Sequence, residues 1–192
     1  MKDGISIKTK FLLPLGFIMV VSLAFTACYN QKSNAATAES NEAKFEKNKD
    51  EQFLVDAGEI CTEQIRFGQL AQKKSINIDI QEFGKMLEDG YVKILNELIP
   101  LAKSKSVTIS NALTNKSQET YNQLVATPIN YFNKAYCDVE VSRHEEAGAK
   151  FQKVFTESTD EDTRRWALSK LPELRRRLEF SLMMQKKFEP IK

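Results

Sequence analysis

Phe132-Asn133-Lys134-Ala135-Tyr136-Cys137-Asp138-Val139-Glu140-Val141-Ser142-Arg143-His144 is the stretch that decides the fold. Ile129, Phe132, Tyr136, Val139, Ala147, Phe151 and Val154 recur at three- and four-residue steps, giving one apolar face over about seven helical turns. A helix of that length must bury its stripe against other elements, and strand-like alternation is scarce elsewhere in the chain. Thr127 and Pro128 fit an N-cap followed by proline at the first helical position.

Reading outward from this third long helix, Ser158 with Glu161 fits the cap of a fourth. The fourth helix carries Trp166, Leu171, Leu174, Leu178, Leu182 and Met183, with Pro172 as an internal kink. The short link near residues 156–158 makes these two helices antiparallel neighbours. In the other direction a short helix spans about 117–125, preceded by a polar connection over 104–115 whose Val107-Thr108-Ile109 is strand-like. Fully extended, that connection reaches roughly 40 Å, long enough to cross from one end of a bundle to the other, and a compact loop is equally permitted. The second helix starts at Asp79 with Glu82, carries Phe83, Met86, Leu87, Ile94, Leu95, Leu98 and Leu101, and is kinked near its end by Pro100. The first runs over about 51–74 with Phe53, Ala57, Ile60, Phe67, Leu70 and Ala71. The expected fold is an all-α four-helix bundle over 51–192, with an extra short helix before the third long one.

Residues 1–27 read as a secretory leader: Lys2, Lys8 and Lys10 precede an apolar run from Phe11, and Leu23-Ala24-Phe25-Thr26-Ala27 places small residues directly before Cys28. Cleavage there would leave Cys28 as a lipidated N-terminus, anchored to a membrane without spanning it. Residues 29–50 are polar and read as a flexible tether whose C-terminal part can already be helical, so 28–50 forms the anchor and its spacer. The leader takes three lysines and one aspartate with it, leaving a formal charge near zero. A balanced surface excludes nucleic acid as the natural partner. Cys61 and Cys137 remain, and a disulfide between them is permitted but not required.

Glycine-rich phosphate loops, clustered cysteine ligands and nucleophile-histidine pairs are absent from the domain, so no enzyme is expected. His144 is the chain's one histidine, a turn beyond Glu140 on the same face as Tyr136, Ala147 and Phe151. A carboxylate and an imidazole one turn apart form a fragment of a metal site, but a transition metal needs three or four converging ligands. The expectation is a hydrogen-bonded core histidine, with a metal ion as the alternative and no cofactor required. Glu63, Glu88, Asp89 and Glu145 offer further carboxylates, most of them expected on solvated faces, with Glu88 and Asp89 away from the second helix's apolar stripe or at its rim.

Gly68-Gln69-Leu70-Ala71, Phe83 with Leu98, Leu101 and Ala102, Phe132-Asn133-Lys134-Ala135-Tyr136 leading to His144, and Leu171-Pro172-Glu173-Leu174 follow one another over about 130 residues. In order and spacing they resemble the ferritin-like, predicted outer-membrane family known as domain of unknown function 4142. That resemblance implies a ferritin-like bundle with glutamate and histidine positions on its helices. It also marks departures: Gln64 stands where the family pattern implies glutamate, Gly90 and Tyr91 where it implies an Asp-His pair, Asn133 where it implies aspartate, and Arg177 where it implies histidine. Gln64, Tyr91, Glu140, His144 and Arg177 are therefore the candidate polar or metal site. Glutamine is a poor ligand and arginine is a fixed cation, so a divalent ion is disfavoured.

Charge is segregated along the chain, with eight acidic and three basic residues over 138–162 and three acidic and nine basic over 164–192. Helices three and four are expected to neutralise each other, the alternative being a basic patch, including Arg175 and Arg176, that meets anionic envelope polymer or lipid. Together these readings predict a lipid-anchored envelope protein on the periplasmic face of an outer membrane, acting as a non-enzymatic binding or structural module whose protein partners the sequence does not specify.

Overall fold

The computed structural model describes residues 25–189, with side chains from Lys44 onward. Residues 1–24 of the predicted leader lie outside the described residues, as does the side chain of Cys28. Five helices account for the described secondary structure: α1 (Phe25–Lys74), α2 (Ile78–Ser104), α3 (Asn115–Ala126), α4 (Ile129–Glu157) and α5 (Glu161–Lys187). None of these helices is long and apolar enough to cross a membrane. The chain divides into two compact units at Asn41/Glu42, and the packing described below belongs to the second.

α1 is longer than the sequence predicts, because the backbone of the expected tether is helical from Phe25 onward. The cause is composition: no glycine or proline occurs between Tyr29 and Ala57, while alanine, glutamate, lysine and glutamine are strong helix formers. Lys47–Glu51 and Lys49–Glu46 pairs add support one turn apart. Low hydrophobicity signalled that the segment has no face to bury and says little about backbone conformation.

Three predicted caps are displaced. Asn77, not Asp79, caps α2, its side-chain oxygen accepting from the N–H groups of Asp79 and Ile80. Asp160, not Ser158, caps α5 by accepting from Thr163 N–H at 2.8 Å. Thr127 closes α3, its hydroxyl donating to Gln123 O, so α4 begins after Pro128 with no side-chain cap. Each displacement moves a start by one or two residues and leaves its helix in place.

α2 ends in a Schellman turn: Val107 N–H bonds Ala102 O at 2.8 Å and Ser106 N–H bonds Lys103 O at 3.1 Å, with Ser106 at φ 61°. This turn launches a crossover of residues 105–128. Val107-Thr108-Ile109 is coil, not strand, and Ile109 packs where a side chain on Gly58 would stand. Thr62 donates to Ser110 O, and α3 then runs down α1, with Phe67 and Tyr121 rings 6.2 Å apart and Lys74 donating to Leu124 O.

Contacts at the two ends fix the topology. At one end Phe53 of α1 meets Phe151 of α4 at 5.0 Å and Trp166 of α5 at 6.0 Å. At the other, Phe83 of α2 meets Tyr136 of α4 at 5.8 Å and Phe180 of α5 at 5.1 Å. The long helices therefore run up, down, down and up, with α2 and α4 parallel because the crossover carries the chain back to the starting end. α1 and α2 cross closely: a Cβ on Gly68 would overlap Gly84 O, and one on Gly84 would overlap Gly68 O. Glycine at both positions permits this approach.

Cross-helix ion pairs join α5 to α2, through Lys170–Glu97 and Lys187–Asp79, and α4 to α1, through Arg143–Glu63 and Lys150–Asp56. The expected neutralisation of α4 by α5 does not occur among the described residues, because these two helices meet through buried small and apolar side chains such as Ala147, Ala167 and Leu174. α5 is also rotated from the predicted face. Leu182 and Met183 are exposed, while Arg177, Ser181 and Met184 point inward.

A buried polar layer as candidate functional site

Between the two aromatic ends lies a layer supplied by every long helix: Gln64 from α1, Tyr91 from α2, Tyr136, Glu140 and His144 from α4, and Arg177 and Ser181 from α5. All are buried, Arg177 being the least so at 5% exposure. On α4 the three residues fall four apart, which stacks them on one inward face.

His144 Nδ1 lies 2.7 Å from Glu140 O, the carbonyl one turn earlier. That contact makes Nδ1 the protonated nitrogen and leaves the Nε2 lone pair free, with no partner. Burial and then the nearby Arg177 charge push the imidazole down to about 4, opposed by the bond to the Glu140 carbonyl. Burial also pushes the Glu140 carboxyl up to about 8. Both groups are thus predominantly neutral at pH 7, and their 3.6 Å separation is a dipolar contact, not a salt bridge.

Arg177 supplies the fixed charge of the layer. Its guanidinium lies over the Tyr91 ring, 4.1 Å from the centroid, and reaches Glu173 one turn back on α5. A side chain on Gly90 would collide with it, so the small residue at 90 and the long one at 177 share one space. The Tyr91 ring in turn stands 5.9 Å from the His144 ring, and Ser181 Oγ lies 3.4 Å from His144 Nδ1 while donating to Arg177 O. The five candidates Gln64, Tyr91, Glu140, His144 and Arg177 all converge on this layer.

Eight polar atoms of the layer lack a hydrogen-bond partner: both Gln64 amide atoms, both Glu140 oxygens, the Tyr91 and Tyr136 hydroxyls, His144 Nε2 and Arg177 Nη1. Such groups favour polar neighbours strongly in a low-dielectric interior. The set nevertheless fits a divalent metal poorly. Only Glu140 and His144 are strong ligands, a guanidinium stands among them, and no group of three His, Cys, Asp or Glu side chains converges among the described residues.

Glu63 is not on a solvated face: it is buried, forms an ion pair with Arg143 at 2.8 Å (Nε to Oε1) and accepts a hydrogen bond from Ser117. Burial pushes its carboxyl upward, with the Ser117 bond and Arg143 opposing. It lies under α3, so the crossover, which the sequence left undecided, is what covers it. Glu88 is half-buried and accepts from Gln69 and Gln72 of α1, while Asp89 and Glu145 are exposed as expected. Tyr136 was legible as an apolar stripe residue, and its hydroxyl gave no sequence signal of joining the polar layer. Cys61 and Cys137 are both buried free thiols, and burial pushes each up to about 12.

The fold and this layer define a class, an all-α bundle with a largely uncharged polar layer across its core. The chain belongs to the family described as domain of unknown function (DUF4142), whose model matches residues 34–181. No curated protein and no solved structure matches it.

Proposed function

We propose that this chain is a lipid-anchored protein of the cell envelope, held through Cys28 at the periplasmic face of an outer membrane, whose ferritin-like bundle is a non-enzymatic binding or structural module. The up-down-down-up order with a long crossover supports the ferritin-like reading. The leader pattern before Cys28 supports the anchor. The observation that carries the non-enzymatic reading is Arg177, whose cation stacks on Tyr91 in the middle of the layer where a metal-dependent bundle would collect anionic ligands.

Two measurements test it. Mass spectrometry of the mature protein should find an acylated N-terminus at Cys28, and Cys28→Ser should move the protein out of the membrane fraction. Iron(II), manganese(II) or zinc(II) titrated into the purified chain should show no tight stoichiometric binding. An unmodified N-terminus would overturn the anchor, and tight binding abolished by His144→Ala would overturn the non-metallic reading.

One observation favours a second reading, a metal-handling bundle with Glu140 and His144 as ligands and Tyr91 in support. His144 Nδ1 is fixed on a backbone carbonyl, leaving Nε2 free as in many metal-ligating histidines. The same titration decides between the two. The exposed Arg175 and Arg176 suit a further role against anionic envelope polymer or lipid, which predicts salt-sensitive binding lost on charge reversal.

A further inference from the structure

The chain has five methionines, two of them, Met1 and Met19, in the predicted leader. The other three, Met86 on α2 and Met183 and Met184 on α5, line one pocket of about 510 Å³ between these helices. Its wall is completed by Phe83 and Phe180, whose rings lie 5.1 Å apart, and by Asp79, Glu82 and Lys187. The pairing of Asp79 with Lys187 and the contact of Phe83 with Phe180 set the antiparallel register, which brings Met86 and Met183 within about one helical turn of each other across the groove.

The exposure of these methionines is informative. Met184 is buried at 2%, but Met86 and Met183 are exposed at 39% and 55%, so two thioethers stay accessible beside a third that is anchored. A methionine that only fills a core does so from inside. Thioether sulfur is a soft, neutral, polarizable donor, which disfavours zinc(II), magnesium(II) and calcium(II) and favours copper(I). The adjoining charges suit a monovalent cation: Lys187 is tied to Asp79, and Glu82 leaves the rim with one net negative charge. The Phe83 and Phe180 rings limit water access from the core side.

We propose that Met86, Met183 and Met184 form a thioether site for copper(I) on the α2–α5 face, separate from the buried layer of Glu140 and His144. Binding is coordination without redox change: the metal arrives and leaves as copper(I), and no proton is released because thioethers carry none.

The test uses the full chain, purified in mild detergent and titrated anaerobically with copper(I) in competition with a chromogenic copper(I) chelator. One copper(I) per chain is expected. Met86→Leu with Met183→Leu keeps volume and apolar character while removing two sulfurs, and should weaken binding by about a hundredfold or more. Circular dichroism and the urea midpoint of the double variant report whether the fold is retained. His144→Ala should leave copper(I) affinity unchanged. No stoichiometric binding by the parent chain, equal binding by a folded leucine variant, or loss of binding in a His144→Ala chain that the same two measurements show to be folded would each overturn the proposal. A leucine variant that fails to fold is replaced by Met183→Leu alone, at the most exposed of the three methionines, where a loss of about tenfold is required.

Discussion

The aromatic ends of the bundle and its central layer both belong to the packed interior and are stabilised differently. Phe53, Phe151 and Trp166 at one end contribute through contact area and edge-to-face geometry, so each ring stabilises by being present. In the layer of Gln64, Tyr91, Tyr136, Glu140, His144 and Arg177, polar atoms have been taken out of water and several lack partners. Burial alone therefore does not rank residues by their contribution. The ends hold the helices together, while the layer sets the electrical state of the interior, and the two respond to different perturbations.

The largest expected effect lies at the ends. Phe151→Ala should cost about 3–5 kcal/mol by urea denaturation, since it removes a ring in contact with both Phe53 and Trp166. A loss below about 1 kcal/mol would erase the contrast. Next comes the α1–α2 crossing, where Gly84→Ala should cost about 1–3 kcal/mol because its methyl meets backbone and Ala71, neither of which can rotate away.

The layer should show itself through pH. Glu140 keeps its proton to about 8 in the fold against 4.5 in the unfolded chain, so its contribution to stability falls as pH rises across that interval. His144 gains its proton near 4 in the fold against 6.5 unfolded, so stability falls as pH drops from 6.5 toward 4. The two slopes oppose each other between 4.5 and 6.5, giving a plateau there and a decline on the alkaline side of up to about 1.4 kcal/mol per pH unit. Urea midpoints of Glu140→Gln should lose the alkaline decline, whereas an unchanged profile would mean that Glu140 is ionised in the fold.

A smaller effect should come from Arg177→Met, which replaces the buried guanidinium with an apolar chain of similar length. Its partner Glu173 is 37% exposed and regains solvation, so the change in stability should stay within about 1 kcal/mol and can favour the variant. A loss as large as that of Phe151→Ala would show that the layer is held together by this cation. Smallest is Lys187→Ala, a few tenths of a kcal/mol, because both partners of its pair with Asp79 are about half exposed.

The helices were legible because their apolar stripes recur over many turns, as in Phe132, Tyr136, Ala147 and Phe151. Helix starts were less so, since Asn77 and Asp160 compete with equally capable neighbours at Asp79 and Ser158, and only the geometry of the preceding link selects one. The full extent of α1, back to Phe25, was not legible because hydropathy measures what a segment can bury, and a polar helix buries little. In the polar layer, His144 and Glu140 were visible from their spacing on one helix. The placement of Glu63 and Ser181 depended on α3 and on the rotation of α5, both tertiary matters. The stacking of Arg177 on Tyr91 over Gly90 joins two helices, and no local pattern announces such a pairing.

That pairing has a consequence for assembly. A bundle whose central positive charge is imported must wait for its ion, and its stability then follows supply, competition and chelation. Here residue 177 brings the charge covalently, so the interior is electrically complete as soon as the chain has folded. Folding on this basis is indifferent to the divalent metal ions of its surroundings, and exhaustive chelation of divalent ions should leave the urea midpoint where it was.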